Sequence, residues 1–314
     1  MKGAVLLLGG GFIAQALSRQ LVAAGREVHV LARRPTSREA VRLEAARRGC
    51  ADFSGAVWHQ GDAQDRALLQ MLLPCCETVV HLASTTTPGV SARQPTLEIG
   101  NLAPVLMLLE VLQDFPTIHL IYFSSGGTLY GNPVTLPVAE EAPLRPLSYH
   151  GAGKAASELF LDVARQQGRA VTILRPANAY GPGQPLKPGF GLVRTMLEYL
   201  RRDTPLEIWG DGETVRDYVY IDDVAAACTL FVDRPDDSAT YNVGSGTGYT
   251  INHLIKLASE VSGRIPKVIH HPGRVGDVAR IVLDVSRLHA TGWAPQVDLQ
   301  SGLKRTWDWL RGQP

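Results

Sequence analysis

The chain has 314 residues, with 31 Lys and Arg against 30 Asp and Glu, which leaves a formal charge of +1. This balance argues against a general nucleic-acid binder and against a polybasic membrane surface. Because 45% of the residues are hydrophobic and no apolar run approaches the ~20 residues of a membrane span, we expect a soluble globular protein without a membrane partner.

Short apolar or β-branched runs alternate with longer segments of helical periodicity over the first two-thirds of the chain. The predicted strands are Gly3–Leu8, Glu27–Ala32, Ala56–His59, Thr78–Leu82, Ile118–Ser124 and Ala170–Leu174. The predicted helices, with apolar residues three and four apart, are Ile13–Ala24, Ser37–Arg48, Asp65–Leu73, Leu97–Gln113 and Tyr149–Gln166. This alternation predicts an α/β fold with a Rossmann-type doubly wound parallel sheet.

The composition and the pattern of apolar residues change after Arg175. A Gly- and Pro-rich stretch, Asn178–Gly191, is typical of a substrate loop. The predicted elements that follow are a helix at Leu192–Arg202, strands at Leu206–Trp209 and Asp217–Ile221, and a last helix at Leu299–Arg311. We therefore predict a dinucleotide-binding domain over residues 1–177, to which the chain returns at about 214–243. Residues 178–213 and 244–314 would form a smaller C-terminal α/β substrate domain.

The cysteines show neither a CxxC pair nor a histidine spacing suited to zinc; they are Cys50, Cys75, Cys76 and Cys228. We expect no metal site and no disulfide framework, which favours a reducing, cytoplasmic location. The apolar run that follows Lys2 also resembles a secretory leader, although it fits the first strand better.

A glycine-rich turn follows the first strand and opens the first helix. Within it, Gly9 supplies a tight turn and Gly11 permits close approach of a pyrophosphate. Phe12 and Ile13 begin the helix, whose first N–H groups are free to bind phosphate, and Ala14 is the small residue for helix–strand packing. The pattern GxGxxA in this position predicts a dinucleotide site, the alternative being ordinary turn glycines.

The end of the second strand bears on which dinucleotide binds. NAD sites normally carry Asp or Glu about 20 residues past the glycines, but here Ala32 stands in that place, followed by Arg33 and Arg34. Two guanidinium groups suit a ribose 2′-phosphate, so NADP is the preferred cofactor and NAD remains possible. The alternative is that both arginines are simply solvated at a strand end.

Several blocks have the order and spacing of one family's motifs. They are Val80–Ser84, Phe123–Gly131, Leu174–Gly183, Arg216–Val224, Tyr241–Gly246 and Arg274–Asp277. In these blocks the chain resembles the extended short-chain dehydrogenase/reductases, specifically the nucleotide-sugar epimerase/dehydratase family, over nearly its whole length.

The resemblance implies positions for the cofactor. Leu82, Ala83 and Ser84 would lie beside its nicotinamide half, Asp62 near the adenine, and Asn101 in the middle of a neighbouring helix. It also implies a homodimer, formed through the helices predicted at 97–113 and 149–166.

The implied partner is a nucleotide-diphosphate sugar. Asn178, Arg216 and Arg274 would contact its diphosphate, and Asp277 lies in the same C-terminal nucleotide-recognition motif. For the arginines, surface salt bridges are the alternative. Thr86 either orients the hexose or is a plain turn former.

The chain departs from the family at the residues that carry the chemistry. The family uses Ser or Thr, together with a Tyr and a Lys four residues later, to exchange a proton while hydride moves. Here Lys154 is retained, His150 stands at the Tyr position, and Tyr149 is one residue early. On a helix, positions 150 and 154 differ by about 400° and share a face, whereas 149 and 154 differ by about 500°.

The Ser or Thr position falls on Gly126, with Ser125 before it and Thr128 after it. Three accounts remain open. His150 replaces the Tyr as proton carrier, or a looser helix start brings in Tyr149 with Ser125 or Thr128, or the chemistry is lost and a nucleotide or nucleotide-sugar binder remains.

These inferences predict an NAD(P)-dependent epimerase or dehydratase that acts on a nucleotide-diphosphate sugar by hydride transfer at a sugar carbon. An NADPH-dependent keto-sugar reductase and a non-catalytic binding protein are the alternatives.

Overall fold

A computed structural model describes residues 3–33, 55–187, 190–273 and 278–313. The predicted helix Ser37–Arg48 and the candidate site residues Arg34, Arg274 and Asp277 lie outside these ranges.

The larger part of the fold is a seven-stranded sheet. Its strands are β1 (Ala4–Leu8), β2 (Val28–Ala32), β3 (Val57–Gln60), β4 (Cys76–His81), β5 (His119–Phe123), β6 (Val171–Pro176) and β10 (Thr240–Val243). They run in the order β10-β6-β5-β4-β1-β2-β3, and all neighbours are parallel. The predicted doubly wound sheet is confirmed, and no end of its six predicted strands is displaced by more than two residues.

Helices cover both faces of this sheet and complete the C-terminal region. They are α1 (Phe12–Ala23), α2 (Arg66–Leu72), α3 (Pro88–Ser91), α4 (Ile99–Val111), α5 (Gly126–Leu129), α6 (Tyr149–Gln166), α7 (Leu192–Arg202), α8 (Ile221–Val232), α9 (Ile251–Ser262), α10 (Ser286–His289) and α11 (Leu299–Arg311). On one face α1 packs against α8, and on the other α4 packs against α2 and α6.

The central strand β1 shows why the apolar runs become buried parallel strands. All five of its residues are buried. Val5 and Leu7 belong to the core on the α1 and α8 side, whereas Leu6 and Leu8 belong to the core under α2, α4 and α6. A strand that is covered on both faces needs apolar side chains at every position, so it reads as a continuous run rather than an alternation.

Two smaller sheets lie beyond the large one. Four short strands form the first, namely β7 (Asn178–Tyr180), β9 (Val215–Tyr220), β11 (Gly248–Thr250) and β13 (Arg280–Ile281), while β8 (Leu206–Trp209) pairs with β12 (Val268–His271). The chain thus leaves the large sheet after β6, and it returns with α8 and β10. Because β9 belongs to the small sheet, this return begins at Ile221 rather than at residue 214.

A buried ion pair fastens α6 to the large sheet. Arg175, on β6, donates from Nε to both carboxylate oxygens of Glu158, on α6, at 3.1 Å, and the two residues are 6% and 2% exposed. Arg175 Nη1 also donates to the Tyr130 hydroxyl and the Glu140 carbonyl, each at 2.8 Å. The Tyr130 hydroxyl in turn donates to Asn242 Oδ1 on β10 at 2.7 Å. Strands β6 and β10 and helix α6 therefore share one polar network.

We predict that Glu158→Gln lowers the free energy of unfolding by about 3–5 kcal/mol, because it leaves the Arg175 charge buried without its counter-ion. The matched control is Asp162→Asn on the same helix, whose pair with Arg165 is 46% exposed on the Asp162 side and whose loss should cost under about 1 kcal/mol. Urea unfolding of both variants measures the difference. Equal effects in the two variants would contradict the role given to the buried pair.

Candidate active site

The site lies where the direction of strand order reverses, between β1 and β4. At this point the loops after the two strands touch. Gly9 has a φ of +113°, and a Cβ there would lie 3.0 Å from the backbone nitrogen of Ala83. Since ligands of open parallel sheets bind in the crevice at such a reversal, Gly9 and Ala83 mark its floor.

The glycine loop fits a dinucleotide pyrophosphate. Helix α1 begins at Phe12, and among the described residues no side chain caps its start and no acidic residue occupies its first turn. Its first N–H groups are therefore available to an anion. A Cβ on Gly11 would meet no described atom within 4 Å, which leaves open space beside the helix start. A Cβ on Gly10 would lie 2.6 Å from Trp58 Cη2, so the turn packs tightly on its inner side.

The strand ends on the adenosine side lie together. Gly61 N donates to the Ala32 carbonyl at 3.1 Å, and Asp62 Oδ1 accepts from Gln64 N at 2.9 Å. Arg33 is exposed at the end of β2. The described residues therefore keep Asp62 and Arg33 at neighbouring strand ends, as the cofactor prediction requires, while the second guanidinium of that prediction is outside the described chain.

The loop after β4 carries a hydrogen-bonded group of polar residues. Asn101 Oδ1 accepts from Thr85 N at 2.8 Å and from Thr85 Oγ1 at 2.9 Å. Asn101 Nδ2 donates to Thr86 Oγ1 at 2.7 Å and to Glu98 Oε2 at 2.8 Å. Asn101, predicted at the cofactor, and Thr86, predicted at the substrate, are thus both buried and bonded to each other.

Helix α6 brings His150 and Lys154 to this loop. His150 Nδ1 lies 3.0 Å from Thr86 Oγ1, and Lys154 Nζ donates to the Phe123 carbonyl at 2.7 Å and lies 4.8 Å from the centre of the Tyr122 ring. Both residues are buried, at 8% and 7% exposure. Burial and the Lys154 charge lower the pKa of His150 below its usual value, while Glu98 raises it.

Tyr149 lies on the other side of the helix start. Ser148 caps α6 through its side chain, which accepts from Gly151 N at 3.1 Å, so the helix begins at Tyr149 without loosening. Tyr149 is 55% exposed. The structure therefore groups His150 with Lys154 and leaves the phenol outside, as the helical phase predicts.

The two candidate hydroxyl residues, Ser125 and Thr128, have different surroundings. Ser125 precedes α5 and is partly buried, and Thr128 Oγ1 is buried without a hydrogen-bond partner among the described residues. At Gly126, where the family pattern expects a hydroxyl, a Cβ would lie 2.6 Å from Leu283 Cδ1 and 2.8 Å from the Arg175 carbonyl. No side chain fits at Gly126 unless the fold shifts around it.

The substrate-side candidates lie around the small sheet. Asn178 Nδ2 donates to the Asp217 carbonyl at 2.9 Å, and Arg216 Nη1 donates to the Val215 carbonyl at 2.9 Å. A Cβ on Gly127 would lie 3.9 Å from the Asn178 amide, which brings Asn178 next to α5. Both candidates thus lie on the small sheet, Asn178 on β7 beside α5 and Arg216 on β9.

Sequence reasoning missed two groups at the site. His81, at the end of β4, is fully buried, and neither of its ring nitrogens has a hydrogen-bond partner among the described residues. Burial followed by the Lys154 charge lowers its pKa to about 3, so it is neutral. Glu98 lies 3.7 Å from His150 Nδ1. Only its place three residues before Asn101, on the same face of a helix, signalled its presence.

Comparison with known proteins gives a consistent result. A family model described as the NAD dependent epimerase/dehydratase family matches residues 5–244. A UDP-glucose 4-epimerase from Thermus thermophilus, solved with NAD, is 34% identical with a TM-score of 0.88, over 98% of this chain and 99% of that one. The Thermotoga maritima UDP-glucose 4-epimerase, solved with UDP-glucose, is 33% identical with a TM-score of 0.88, over 98% of both chains. A dTDP-4-dehydro-6-deoxyglucose reductase from Escherichia coli is 32% identical over 73% of each chain.

We predict that Gly11→Ala weakens binding of NAD and NADP by roughly tenfold or more, because the added methyl occupies the space that a pyrophosphate needs at the helix start. Folding should be unaffected, since that methyl meets no described atom. The measurement is calorimetric titration with each dinucleotide. Gly312→Ala, near the C-terminal end, is the control, and unchanged affinity in Gly11→Ala would remove the loop from the cofactor site.

Proposed function

The chain belongs to the NAD-dependent epimerase/dehydratase family, and we propose that it interconverts the C4 epimers of a UDP-hexose. That it is an NAD-dependent nucleotide-sugar enzyme follows from the family. The epimerisation and the UDP-hexose are proposed from the solved relatives. The observation that carries the proposal is the burial of His150 and Lys154 on one face of α6, against the loop after β4.

When bound, the dinucleotide would supply the hydride chemistry at a sugar carbon. The Gly9–Gly11 turn and the first N–H groups of α1 would hold its pyrophosphate. Ala83 and Ser84, at the adjoining strand end, would line the nicotinamide side. These groups would set where the nicotinamide lies relative to α6.

His150 is proposed to move the proton. As hydride leaves the sugar carbon, the hydroxyl on that carbon loses its proton to the imidazole, and His150 returns this proton when the alcohol is formed again. A base must be neutral to accept a proton, and the lowered pKa of His150 supplies the neutral form at neutral pH. Lys154 contributes the positive charge that helps to keep it so.

We predict that His150→Phe lowers kcat by about 100-fold or more, because the proton carrier is removed, whereas Tyr149→Phe stays within about twofold of the unsubstituted protein. The assay follows UDP-galactose formation from UDP-glucose with the dinucleotide supplied. Tyr149→Phe is the matched control, since it removes the neighbouring phenol from the same helix turn. A large loss in Tyr149→Phe with full activity in His150→Phe would reverse the assignment.

A second candidate is net reduction of a keto-sugar with NADPH. Two observations favour it: Ala32 replaces the acidic residue of NAD sites beside the exposed Arg33, and one relative is a keto-sugar reductase. The predicted preference for NADP belongs to this candidate. Tighter binding of NADP than NAD in the titration above, with oxidation of NADPH by a 4-keto-sugar nucleotide, would favour it over epimerisation.

We also propose that the protein forms a homodimer through α4 and α6. These helices carry exposed apolar side chains, namely Ile99 at 68%, Leu159 at 66%, Val163 at 51% and Phe160 at 45% exposure. By length and composition alone, Pro95–Asp114 meets the criterion for a membrane span, with a mean hydropathy of 1.4, although the sequence analysis expects none. An apolar helix at a subunit contact has the same composition.

The location proposed for this enzyme is the cytoplasm. The described cysteines Cys75, Cys76 and Cys228 are all free thiols, which is compatible with a reducing compartment.

We predict that Leu159→Glu with Val163→Glu converts the dimer to a monomer, because two charges would be buried at the α4 and α6 contact. Sedimentation velocity measures the change in mass. Ile265→Glu, at a residue 90% exposed elsewhere, should leave the dimer intact. A monomeric unsubstituted protein would contradict the proposal directly.

A further inference from the structure

We propose that Glu98 is a positioning residue for His150, holding its imidazole with Nδ1 protonated so that Nε2 can receive the proton of the sugar hydroxyl. This inference rests on the proposed role of His150. It concerns a carboxylate that no family motif quoted above contains, on a part of the chain about 50 residues from the helix it serves.

The geometry pairs the carboxylate with one ring nitrogen. Glu98 Oε1 lies 3.7 Å from His150 Nδ1, and the two side chains are 12% and 11% exposed. Glu98 Oε1 has no hydrogen-bond partner among the described residues, and it faces the Nδ1 side of the imidazole. In a poorly solvated site, an unpaired carboxylate oxygen favours a proton on the nitrogen that faces it.

The other carboxylate oxygen is already held in place. Asn101 Nδ2 donates to Glu98 Oε2 at 2.8 Å and to Thr86 Oγ1 at 2.7 Å. Thr86 Oγ1 is in turn 3.0 Å from His150 Nδ1. One amide therefore fixes both groups that approach Nδ1, and among the described residues no group bonds to Nε2. The ring is anchored through one nitrogen, and the other is left for chemistry.

Gly153 leaves the room that this carboxylate occupies. A Cβ on Gly153 would lie 2.7 Å from Glu98 Oε2 and 3.4 Å from Glu98 Cβ and Cδ. Glycine in a helix interior costs about 0.5–1 kcal/mol relative to alanine, and Gly153 lies well inside α6. The close approach of Glu98 gives a physical reason for glycine at this position.

An imidazole needs such a partner in a way that a phenol does not. A phenol has one oxygen that both gives and takes the proton, whereas a neutral imidazole has two nitrogens and must carry its proton on one of them. A carboxylate that holds the remote nitrogen selects the useful tautomer and stabilises the imidazolium formed during transfer. The charged groups acting on His150 are Lys154, one turn along its own helix, and Glu98, on the turn just before α4. Thr86, from the loop after β4, is uncharged.

The experiment combines kinetics with a titration that needs no turnover. In Glu98→Gln, we expect kcat to fall about 10- to 100-fold with little change in KM. We expect the acid limb of the pH profile of kcat/KM to move to lower pH, because loss of the negative charge lowers the pKa of His150. In 15N-labelled-histidine NMR, with the His150 signal identified by its absence in His150→Phe, the pKa should fall by about one pH unit and the proton should shift toward Nε2.

Three variants complete the design. Glu98→Asp keeps the charge, and its acid limb should stay near that of the unsubstituted protein. Gly153→Ala keeps the charge but displaces the carboxylate, so it should lose activity as Glu98→Gln does. Glu110→Gln, on α4 at 59% exposure, is the matched control and should change nothing.

If Glu98→Gln left the His150 titration and the acid limb unchanged, the positioning role would be overturned, even if activity fell. Loss of a purely structural carboxylate can lower activity without changing the pKa of His150. That result leaves the proposed function standing if His150→Phe is inactive. Full activity in His150→Phe would instead overturn the proposed function, whatever the titration of Glu98→Gln shows.

Discussion

The active-site helix depends on one buried ion pair for its position. Glu158 and Arg175 join α6 to β6, and the same guanidinium extends to Tyr130 and the Glu140 carbonyl. Because His150 is two helical turns from Glu158 on the same helix, this attachment also helps to place His150. A charge pair of this kind gains little free energy over apolar packing, but it tolerates few alternative arrangements.

Much of the fold followed from patterns that are local in the chain. Continuous apolar runs such as β1 predict strands buried on both faces, and the helical periodicity of α6 predicts its bounds to the residue. The same periodicity also predicted that His150, and not Tyr149, shares a face with Lys154. These inferences succeeded because they need only the geometry of a single element.

The rest depends on contacts between distant parts of the chain. Glu98 meets His150 because the 3-10 turn Pro95–Glu98, just before α4, packs against α6, and no spacing in the sequence encodes that distance. His81 lies in a block quoted for the family resemblance, but only the packed structure shows that both its ring nitrogens lack partners among the described residues. The choice between NAD and NADP rests on the arginines after β2. The sequence cannot distinguish arginines that bind a 2′-phosphate from arginines that are only solvated, because both are found at a strand end.

The packing around Gly126 also limits which side chains the site can accept at that position. The methyl of any larger residue would meet Leu283 and the carbonyl of Arg175, and a carbonyl on a central strand has little freedom to retreat. A serine at residue 126 would therefore need a change at Leu283 and a shift of the Arg175 carbonyl to make room for its side chain. The present packing is therefore incompatible with a hydroxyl side chain at residue 126, whichever group moves the proton.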